Sequence, residues 1–456
     1  MPGPYRRIPT GCLVTVFVMM CWAAFAEDTV RGVDRGADAL SAPLDGMSEP
    51  ERAVFERGRV LYSQVWVSPI AGKGSGFVGL GPVFNETSCI GCHIGNGRGS
   101  VPDGPDQAMH GMLVRLSVPG RNDKGGPVPV PGYGDQLNDH AIGGVPSEGQ
   151  ARLSYTEKQV SLADGTRVTL RRPSVRFTSL AFGPTNRHLM TSVRIAQPVA
   201  GAGLLDVIPA ADILANARKQ KASDGPVHGH PNFVWNPATS QPMLGRFGWK
   251  ANQPSLAIQS AGAANGDMGL TSPYFPDKNC PASQTDCAQS LTGPQPDLSP
   301  ARLAELVAYV QGLAAPRRRA ETDASVQKGE ALFAAVGCEQ CHKSEWKTAA
   351  DARPTYLASQ TIHPYTDLLL HDMGPGLADG RPDYLAGGRE WRSAPLWGLG
   401  LALALNPKAG FLHDGRARTV TEAILWHDGE ARMAQRRFTL LPKPEREALL
   451  SFLNSL

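Results

Sequence analysis

The segment Cys89-Ile90-Gly91-Cys92-His93 and its counterpart Cys338-Glu339-Gln340-Cys341-His342 decide the fold of this 456-residue chain. Each has the spacing Cys-x-x-Cys-His, in which two thiols can bond to the two vinyl groups of one haem while the histidine ligates the iron. A zinc site built from both cysteine pairs is an alternative, but it would need the pairs to converge and would need neither histidine. Thioredoxin-like pairs would need a surrounding βαβ pattern, which the sequence lacks. The motifs therefore predict two covalently bound c-type haems.

The two motifs belong to an internal repeat. Gly58-Arg59-Val60-Leu61-Tyr62 precedes the first motif, and Gly329-Glu330-Ala331-Leu332-Phe333 precedes the second, with glycine, leucine and an aromatic residue at matching positions. Each copy ends in an apolar segment that starts with a proline, Pro300 or Pro444, which favours the first turn of a helix. The repeat predicts a mainly α fold with two cytochrome c-like haem domains and long loops.

The region between the two copies has a different pattern. Residues 113–118 alternate between apolar and polar, and residues 159–162 and 167–170 flank Asp164-Gly165, which predicts a β-hairpin. We therefore predict a β/loop insertion in the first haem domain. The predicted divisions are an N-terminal haem domain (27–110 and 246–312), the insertion (111–245), a linker (313–325) and a C-terminal haem domain (326–456).

The N-terminus has the pattern of an export signal. Arg6 and Arg7 precede an apolar core from Cys12 to Phe25, and Ala24-Phe25-Ala26 has small residues at the cleavage positions. This predicts a signal peptide over residues 1–26 and a periplasmic or secreted protein that meets a membrane only in transit. An uncleaved anchor is the alternative.

Two cysteines remain once the signal peptide and the haem motifs are set aside. Cys280 and Cys287 lie seven residues apart in a loop rich in Pro, Asn and Gln. In an oxidising compartment such a pair predicts a disulfide, with two free thiols as the alternative. The formal net charge is only +3, so the chain has no basic excess that would attract nucleic acid or an anionic membrane surface.

Four further segments carry a resemblance to a known family. They are Gly245–Ala251, Gly266–Gly269, Tyr365–Gly374 and Phe411–Ala417. Together with the haem motifs they make the chain resemble the di-haem cytochrome c peroxidase superfamily, which includes MauG-type enzymes and latex-cleaving di-haem oxygenases. Within it the chain looks most like the di-haem oxidoreductases, a branch also labelled thiol oxidoreductases. No reactive cysteine supports that label here.

The resemblance implies that the C-terminal haem, ligated by His342, transfers electrons. In the family its second ligand lies fourteen residues after the histidine of a His-Asp/Ser-Gly motif. Here that motif histidine is His413, and the fourteenth residue is His427, which predicts bis-histidine iron of low reduction potential. His413 itself is expected to bond a haem propionate or to pack near the haem. The alternatives make His427 a surface residue and Met373 or Met433 the ligand.

The resemblance implies that the N-terminal haem, ligated by His93, is the reactive one. The peroxidases place a Trp between the haems, ten residues before a Gln, and a Glu follows. Trp249 and Gln259 keep the ten-residue spacing, while Asp267 is the nearest acid where the Glu is missing. A carboxylate above the haem can move a proton between the oxygens of peroxide, and Trp249 could relay electrons. Core packing of Trp249 and loop capping by Asp267 are the alternatives.

Two features of the family stay open in the sequence. A distal histidine for the N-terminal iron would have to come from residues that are otherwise ordinary loop or surface histidines: His110, His140, His188, His228 and His230. The family also binds calcium between the domains. Ser393, where the family prefers Thr, and the turn Asp224-Gly225 mark where such an ion could bind in this chain.

These patterns predict an exported, haem-dependent oxidoreductase of the peroxidase kind. We expect the N-terminal haem to react with peroxide or a similar oxidant, and the C-terminal haem to exchange electrons with a small electron-donor or electron-acceptor redox protein. An O₂-dependent di-haem oxygenase is one alternative, and it would need an apolar tunnel to the N-terminal haem. An electron carrier with no substrate of its own is the other, but Trp249, Gln259 and the large insertion argue against it.

Overall fold

A computed structural model describes Met1, Gly3 and residues 38–69, 77–291, 293 and 295–456. The predicted signal peptide over residues 1–26 thus lies almost wholly outside the described residues. Helices make up 32% and strands 20% of the structure, and the strands form many small sheets. The chain is therefore mixed rather than mainly α as predicted, because the strands of residues 111–245 and numerous short strand pairs add to the helices.

The α-helices of the described residues differ widely in length. They are α1 (Glu49–Ser63), α2 (Cys89–Cys92), α3 (Ala202–Asp206), α4 (Ala210–Lys221), α5 (Leu256–Met268), α6 (Thr285–Gln289), α7 (Pro300–Gly312), α8 (Ala324–Val336), α9 (Gly374–Leu377), α10 (Ala402–Leu405), α11 (Val420–Trp426), α12 (Arg432–Leu440) and α13 (Lys443–Ser455). The prolines expected at helix starts lie in the first turns of α7 and α13, where a missing amide hydrogen costs no helical bond.

The strands are short except for three. They are β1 (Trp66–Val67), β2 (Phe77–Val78), β3 (Val83–Phe84), β4 (Met112–Arg121), β5 (Pro127–Val128), β6 (His140–Ala141), β7 (Gln150–Ser161), β8 (Arg167–Thr178), β9 (Met190–Ile195), β10 (Phe233–Asn236), β11 (Gln241–Leu244), β12 (Trp346–Lys347), β13 (Thr361–Ile362), β14 (Leu370–Asp372) and β15 (Glu390–Arg392). One sheet has three strands in the order β5-β4-β9, and the other strands described form pairs.

The sequence repeat corresponds to two equivalent helix pairs, α1 with α7 and α8 with α13. A Cβ atom at Gly58 would lie 2.0 Å from the carbonyl oxygen of Glu305, and one at Gly329 would lie 2.0 Å from that of Ala448. Glycine is needed at both crossings because the two backbones approach more closely than any side chain would permit. The matching glycines of the sequence therefore mark the same contact in each copy.

One aromatic pair lies a helical turn beyond each of these contacts. The ring centroids of Tyr62 and Tyr309 are 5.0 Å apart, and those of Phe333 and Phe452 are 5.2 Å apart. Since residues four apart share a helix face, the glycine and the aromatic residue of each copy face the same partner helix. The two copies thus pack alike at the level of individual side chains.

The predicted hairpin is present and longer than expected. β7 and β8 pair antiparallel over their whole length, from Gln150 opposite Thr178 to Ser161 opposite Arg167. Its tip packs on the C-terminal part of the chain, where Arg446 donates to the Asp164 carboxylate at 2.7 Å. The insertion therefore reaches beyond the first copy of the repeat and covers the second.

The hydrophobic core contains residues that are far apart in the sequence. One cluster of buried side chains joins Phe55 and Tyr309 to Trp346 and Leu357. A second joins strand residues such as Leu153 to the helices α8 and α13. Each cluster thus combines side chains from both halves of the chain, and the predicted domain boundaries stay a prediction.

The predicted disulfide is confirmed, since Cys280 and Cys287 are bonded with their Cα atoms 5.7 Å apart. The alternative of two free thiols at these positions is therefore wrong. Among the helices of the described ranges, none has both the length and the apolar character needed to cross a membrane.

Candidate haem sites

The two Cys-x-x-Cys-His motifs have the same local geometry. Cys89–Cys92 forms one helical turn capped by Ser88, and Cys338–Gln340 forms a 3₁₀ turn that follows the left-handed Gly337. In both, the histidine amide donates to the carbonyl oxygen of the first cysteine at 3.0 Å. One turn places the two thiols on one side of the backbone, and neither pair is oxidised to a disulfide. Each motif can therefore present both thiols to one ligand.

Three imidazoles are oriented in the same way by backbone carbonyls. The Nδ1 atoms of these histidines lie 2.7–2.9 Å from carbonyl oxygens: His93 from Gln197, His342 from Tyr365 and His427 from Ala423. A carbonyl accepts only from a protonated nitrogen, so a neutral ring keeps its Nε2 lone pair available for a metal. Burial lowers the pKa of all three rings, that of His342 to about 4. All three therefore have the tautomer that an iron ligand requires.

The second motif opens into a cavity of about 400 Å³. Cys338, Cys341 and His342 line it, and His427 lines it from the end of α11. His427 therefore faces the cavity that contains the second motif, and its role as a ligand stays a prediction. Met373 and Met433 line the same cavity, and Met433 is 46% exposed.

The wall of this C-terminal cavity suits a porphyrin. Most of its other lining side chains are aliphatic or aromatic, among them Val336, Leu377, Phe411, Ile424, Phe438 and Leu453. An apolar wall with few polar groups is typical of cofactor sites. The thiols, the imidazoles of His342 and His427 and the apolar wall together fit a c-type haem.

His413 lies in the wall of the same cavity. Its ring stacks on Trp391 with centroids 3.6 Å apart and planes 12° apart. Its Nε2 lies 3.4 Å from a carboxylate oxygen of Asp414, which also pairs with Arg416. The ring is thus held beside the expected haem, while its contact with a propionate stays a prediction.

The first motif opens into a separate cavity of about 220 Å³. Cys89, Cys92 and His93 line it together with residues of α5. Because the two cysteine pairs line different cavities, they do not converge as a shared zinc site would require. The thiols and the oriented imidazole also fit a haem here.

Helix α5 brings the predicted catalytic side chains to the N-terminal cavity. Ser255 caps the helix, its hydroxyl accepting from the Ile258 amide at 3.3 Å. Gln259 and Asp267 lie eight residues apart on α5, and both line the cavity. Eight residues are slightly more than two turns, so both side chains lie on one helix face.

The carboxylate of Asp267 bonds to the insertion, while its backbone carbonyl oxygen accepts from the amides of Asn85 and Glu86. Its Oδ1 accepts a hydrogen bond from Gln136 Nε2 at 2.8 Å. Burial raises the pKa of this carboxyl group above its ordinary value, although nearby Arg115 and the Gln136 bond oppose the rise. A carboxyl group of raised pKa in a cavity wall takes up a proton more readily than an ordinary one, which suits a proton-transfer group.

Trp249 separates the two cavities. Of the described residues, it alone lines both. Its indole Nε1 donates to the Ile195 carbonyl oxygen at 2.8 Å, and the side chain is 7% exposed. The position is compatible with both interpretations of the sequence, core packing and electron relay.

Sequence reasoning missed a buried charge cluster beside the second motif. His371 lies between two carboxylates, with Nε2 3.0 Å from Asp367 and Nδ1 2.7 Å from Glu430. Burial alone would lower the pKa of His371, but Asp367 and the thiol of Cys341 outweigh burial and raise the pKa well above its usual value. His371 lines the C-terminal cavity, 3.6 Å from the thiol of Cys341. The spacing of Asp367 and His371 was visible in the sequence, whereas the contact with Glu430 was not.

None of the five histidines considered as distal ligands lines the described wall of the N-terminal cavity. His110, His188 and His228 are exposed. His140 stacks on Phe84, and His230 pairs with Glu390 at 2.8 Å. Asp267, Gln259 and Arg115 are among the polar side chains that do line this cavity.

The calcium ion stays a prediction. Ser393 donates its hydroxyl hydrogen to the Asp367 carboxylate at 2.5 Å, and Asp224 is exposed. Within the parts of the chain that the structure describes, no group of three or more His, Cys, Asp or Glu side chains is placed to hold a metal ion.

Comparison with known proteins gives one match. A family model described as "Di-haem oxidoreductase, putative peroxidase" matches residues 23–456. No protein of curated function and no solved structure matches the chain. The match includes both haem motifs, α5 and the segment from His413 to His427.

Proposed function

The chain belongs to the di-haem oxidoreductase family, and we propose that its two haems have different tasks. The haem at Cys89 and Cys92 reacts with peroxide, and the haem at Cys338 and Cys341 transfers electrons. One observation carries this proposal. The polar side chains that α5 adds to the N-terminal cavity include the carboxyl group of Asp267 but no imidazole, whereas His427, at the end of α11, adds a second imidazole to the C-terminal cavity.

An iron with two protein ligands has no free position for a substrate, whereas an iron with one can bind peroxide. A bound haem would supply the redox chemistry. The protein would bind and orient the haem and the peroxide, and it would transfer the proton. In the N-terminal cavity, the ionised carboxylate of Asp267 accepts and returns the proton. Gln136 occupies its Oδ1, and no other described side chain donates to Oδ2, so Oδ2 can accept a proton from one peroxide oxygen and return it to the other. Gln259 lies on the same helix face and can orient the peroxide through its amide.

In this proposal Trp249 is the residue through which electrons pass between the two sites. Its ring belongs to both cavity walls, and its hydrogen bond to Ile195 fixes the orientation of the indole. An aromatic ring in direct contact with both sites shortens the gap that an electron must cross. With both haems bound, Trp249 would lie on the path of electrons from the C-terminal haem, supplied by a small redox protein, to the N-terminal haem.

We also propose that the protein is exported from the cytoplasm. The signal-like N-terminus and the Cys280–Cys287 disulfide support folding in an oxidising compartment, the periplasm or the exterior. The substrate is peroxide or a similar oxidant, and the net charge of +3 favours no nucleic acid partner.

The proposal is tested by mixing the fully oxidised and the half-reduced protein with hydrogen peroxide in a stopped-flow spectrometer. We expect a rapid change in the Soret band of the haem without a distal ligand. No response to peroxide in either form, together with a stable complex with O₂, would favour the oxygenase and overturn the peroxidase.

The attachment chemistry is tested by counting haems. Two haems should stay bound after denaturation, and replacing Cys338 and Cys341 with alanine should leave one. The matched control replaces Cys280 and Cys287 with alanine, which also removes two cysteines but should leave two haems. Extraction of all haem from the denatured wild-type protein into acidic organic solvent would contradict covalent attachment.

Trp249→Phe should slow electron exchange between the haems by about tenfold or more, equivalent to roughly 1.4 kcal/mol of activation free energy. The first reaction with peroxide should keep its rate. Trp391→Phe is the matched control, because Trp391 is also buried and its indole also donates to a carbonyl oxygen, that of Leu377. Trp391 lines only the C-terminal cavity. Equal slowing in the two variants would count against a relay through Trp249.

A further inference from the structure

Two buried arginines of the C-terminal cavity have no carboxylate partner. Arg98 is 6% exposed and Arg392 is 5% exposed, and both line the cavity. Five of the other six buried Arg and Lys side chains among the described residues form an ion pair: Arg194 and Arg381 with Asp383, Lys250 with Asp379, Arg416 with Asp414, and Arg446 with Asp164. The sixth, Arg246, has only a longer-range attraction to Asp206, as Arg392 has to Asp367. A buried charge is normally paired with an opposite charge. An anionic ligand is therefore expected beside Arg98 and Arg392.

The guanidinium of Arg98 has most of its donors unused. It makes one hydrogen bond, a long one of 3.4 Å from Nη1 to the Gly410 carbonyl oxygen. Its central carbon lies 5.8 Å from the centroid of the Trp249 ring and 5.5 Å from that of Phe411. A guanidinium has five N–H donors, so at least four stay available for a ligand in the cavity.

Arg392 is held more firmly but is also incompletely bonded. Its guanidinium donates to the carbonyl oxygens of Gly248 and Ser393 and to Gln197 Oε1, at 2.9, 3.2 and 2.8 Å. The nearest acid that acts on it, Asp367, already accepts hydrogen bonds from His371 and Ser393 on its two oxygens. Burial lowers the pKa of both Arg98 and Arg392 to about 10, which still leaves both charged at neutral pH.

The chemistry of the expected occupant identifies the anion. A c-type haem is anchored through its vinyl edge, here to Cys338 and Cys341, and it has two propionate carboxylates on the opposite edge. The planar guanidinium fork matches a carboxylate better than any other side chain does. Two unpaired arginines in one cavity thus correspond to two carboxylates of one haem.

Both arginines are also linked to the proximal histidine of the other haem. Arg98 lies five residues after His93 in the chain. Arg392 donates to the side chain of Gln197, and the carbonyl oxygen of the same Gln197 accepts from His93 Nδ1 at 2.7 Å. His93 and Arg392 are thus connected through a single residue, Gln197.

We propose that Arg98 and Arg392 bind the propionates of the C-terminal haem and thereby couple its reduction potential to the segment that ligates the N-terminal haem. This inference rests on the proposed placement of a haem in each cavity. The two arginines act as positioning and charge-compensating residues, and neither takes part in the reaction with peroxide.

The test is potentiometry of the holoprotein, with the low-spin signal of the C-terminal haem as the readout. In Arg98→Gln one propionate loses its counter-charge, and the unpaired carboxylate stabilises ferric iron. The reduction equilibrium should shift toward the ferric form by about tenfold, which for one electron is a fall in midpoint potential of about 59 mV. Arg98→Lys keeps the charge, so its shift should be smaller. In resonance Raman spectra the propionate bending bands should change in Arg98→Gln.

Arg446→Gln is the matched control. Arg446 is 5% exposed, pairs with Asp164 and lines neither cavity, so this variant should leave the propionate bands unchanged. An Arg98→Gln protein with two haems, an unchanged midpoint potential and unchanged propionate bands would overturn the proposal. If that variant fails to fold, the same comparison on Arg392→Gln and Arg392→Lys decides. None of these readouts involves peroxide, so they stand even if the protein proves unreactive toward it.

Discussion

Replacing Asp267 with asparagine should slow the reaction with peroxide by about a hundred- to ten-thousand-fold, the range expected for one positioned acid–base group. Asparagine keeps the size of the side chain and can still bond to Gln136, but it cannot take up a proton. Both haems should stay attached, since Asp267 contributes neither a thiol nor an imidazole. Stopped-flow mixing with peroxide measures the rate, and haem content is determined on the same sample.

The pH dependence gives an independent readout of the same residue. Peroxide must lose a proton to Asp267, so only the ionised carboxylate is active. Because the pKa of Asp267 is raised, the rate in the wild-type protein should fall as the pH drops through a value above that of an ordinary carboxyl group. Asp267→Asn should lack this step.

Glu148→Gln is the matched control for Asp267→Asn. Glu148 is also a buried acid, and burial raises its pKa to about 7. It bonds to Asn138 and Gln284 and lines neither cavity. The rate in Glu148→Gln should equal that of the wild type. An undiminished rate in Asp267→Asn would remove Asp267 from the mechanism.

His427→Ala should convert one of the two haems from low-spin to high-spin or water-ligated iron and raise its reduction potential. The variant removes an imidazole that, with its Nδ1 bonded to Ala423, has its Nε2 available for the iron. Imidazole stabilises ferric iron more than a weaker ligand does, which gives the direction of the shift. Electron paramagnetic resonance of the oxidised protein measures the change.

Met373→Leu is the matched variant for this second test, because Met373 lines the same cavity. It should keep the low-spin signal of the wild type. If His427→Ala kept that signal and Met373→Leu lost it, the ligand would be the thioether. If neither variant changed the signal, Met433 would be the next residue to replace.

The sequence could predict features that depend on neighbours along the chain. The spacing Cys-x-x-Cys-His determines that both thiols of each motif lie on one turn, and the structure has that turn twice. Gly58 and Gly329 were recognised as matching positions of a repeat, and the structure gives both the same close helix contact. The disulfide joins residues only seven apart. In each case the chemistry and the backbone geometry act within a few turns of chain.

Contacts between distant segments could not be predicted in this way. Gln136, which bonds to Asp267, comes from the insertion, 131 residues away. The hairpin was recognised from Asp164-Gly165, but nothing in its pattern showed that Arg446 would hold its tip against the other half of the chain. The strand content was likewise underestimated, because two-residue strands carry no periodicity that a sequence can display.

The sequence by itself thus determined two haem attachment motifs and one disulfide, which are matters of covalent chemistry. It also determined that one helical pattern occurs twice. Tertiary structure alone decided how the two sites face each other. The folded chain places Trp249 in the walls of both cavities. It also places Arg98, which follows the first haem motif in sequence, in the wall of the C-terminal cavity. The physical reason is the range of the forces involved. Bonding and helix geometry are set by residue spacing, whereas burial and charge pairing depend on which distant surfaces the folded chain packs together.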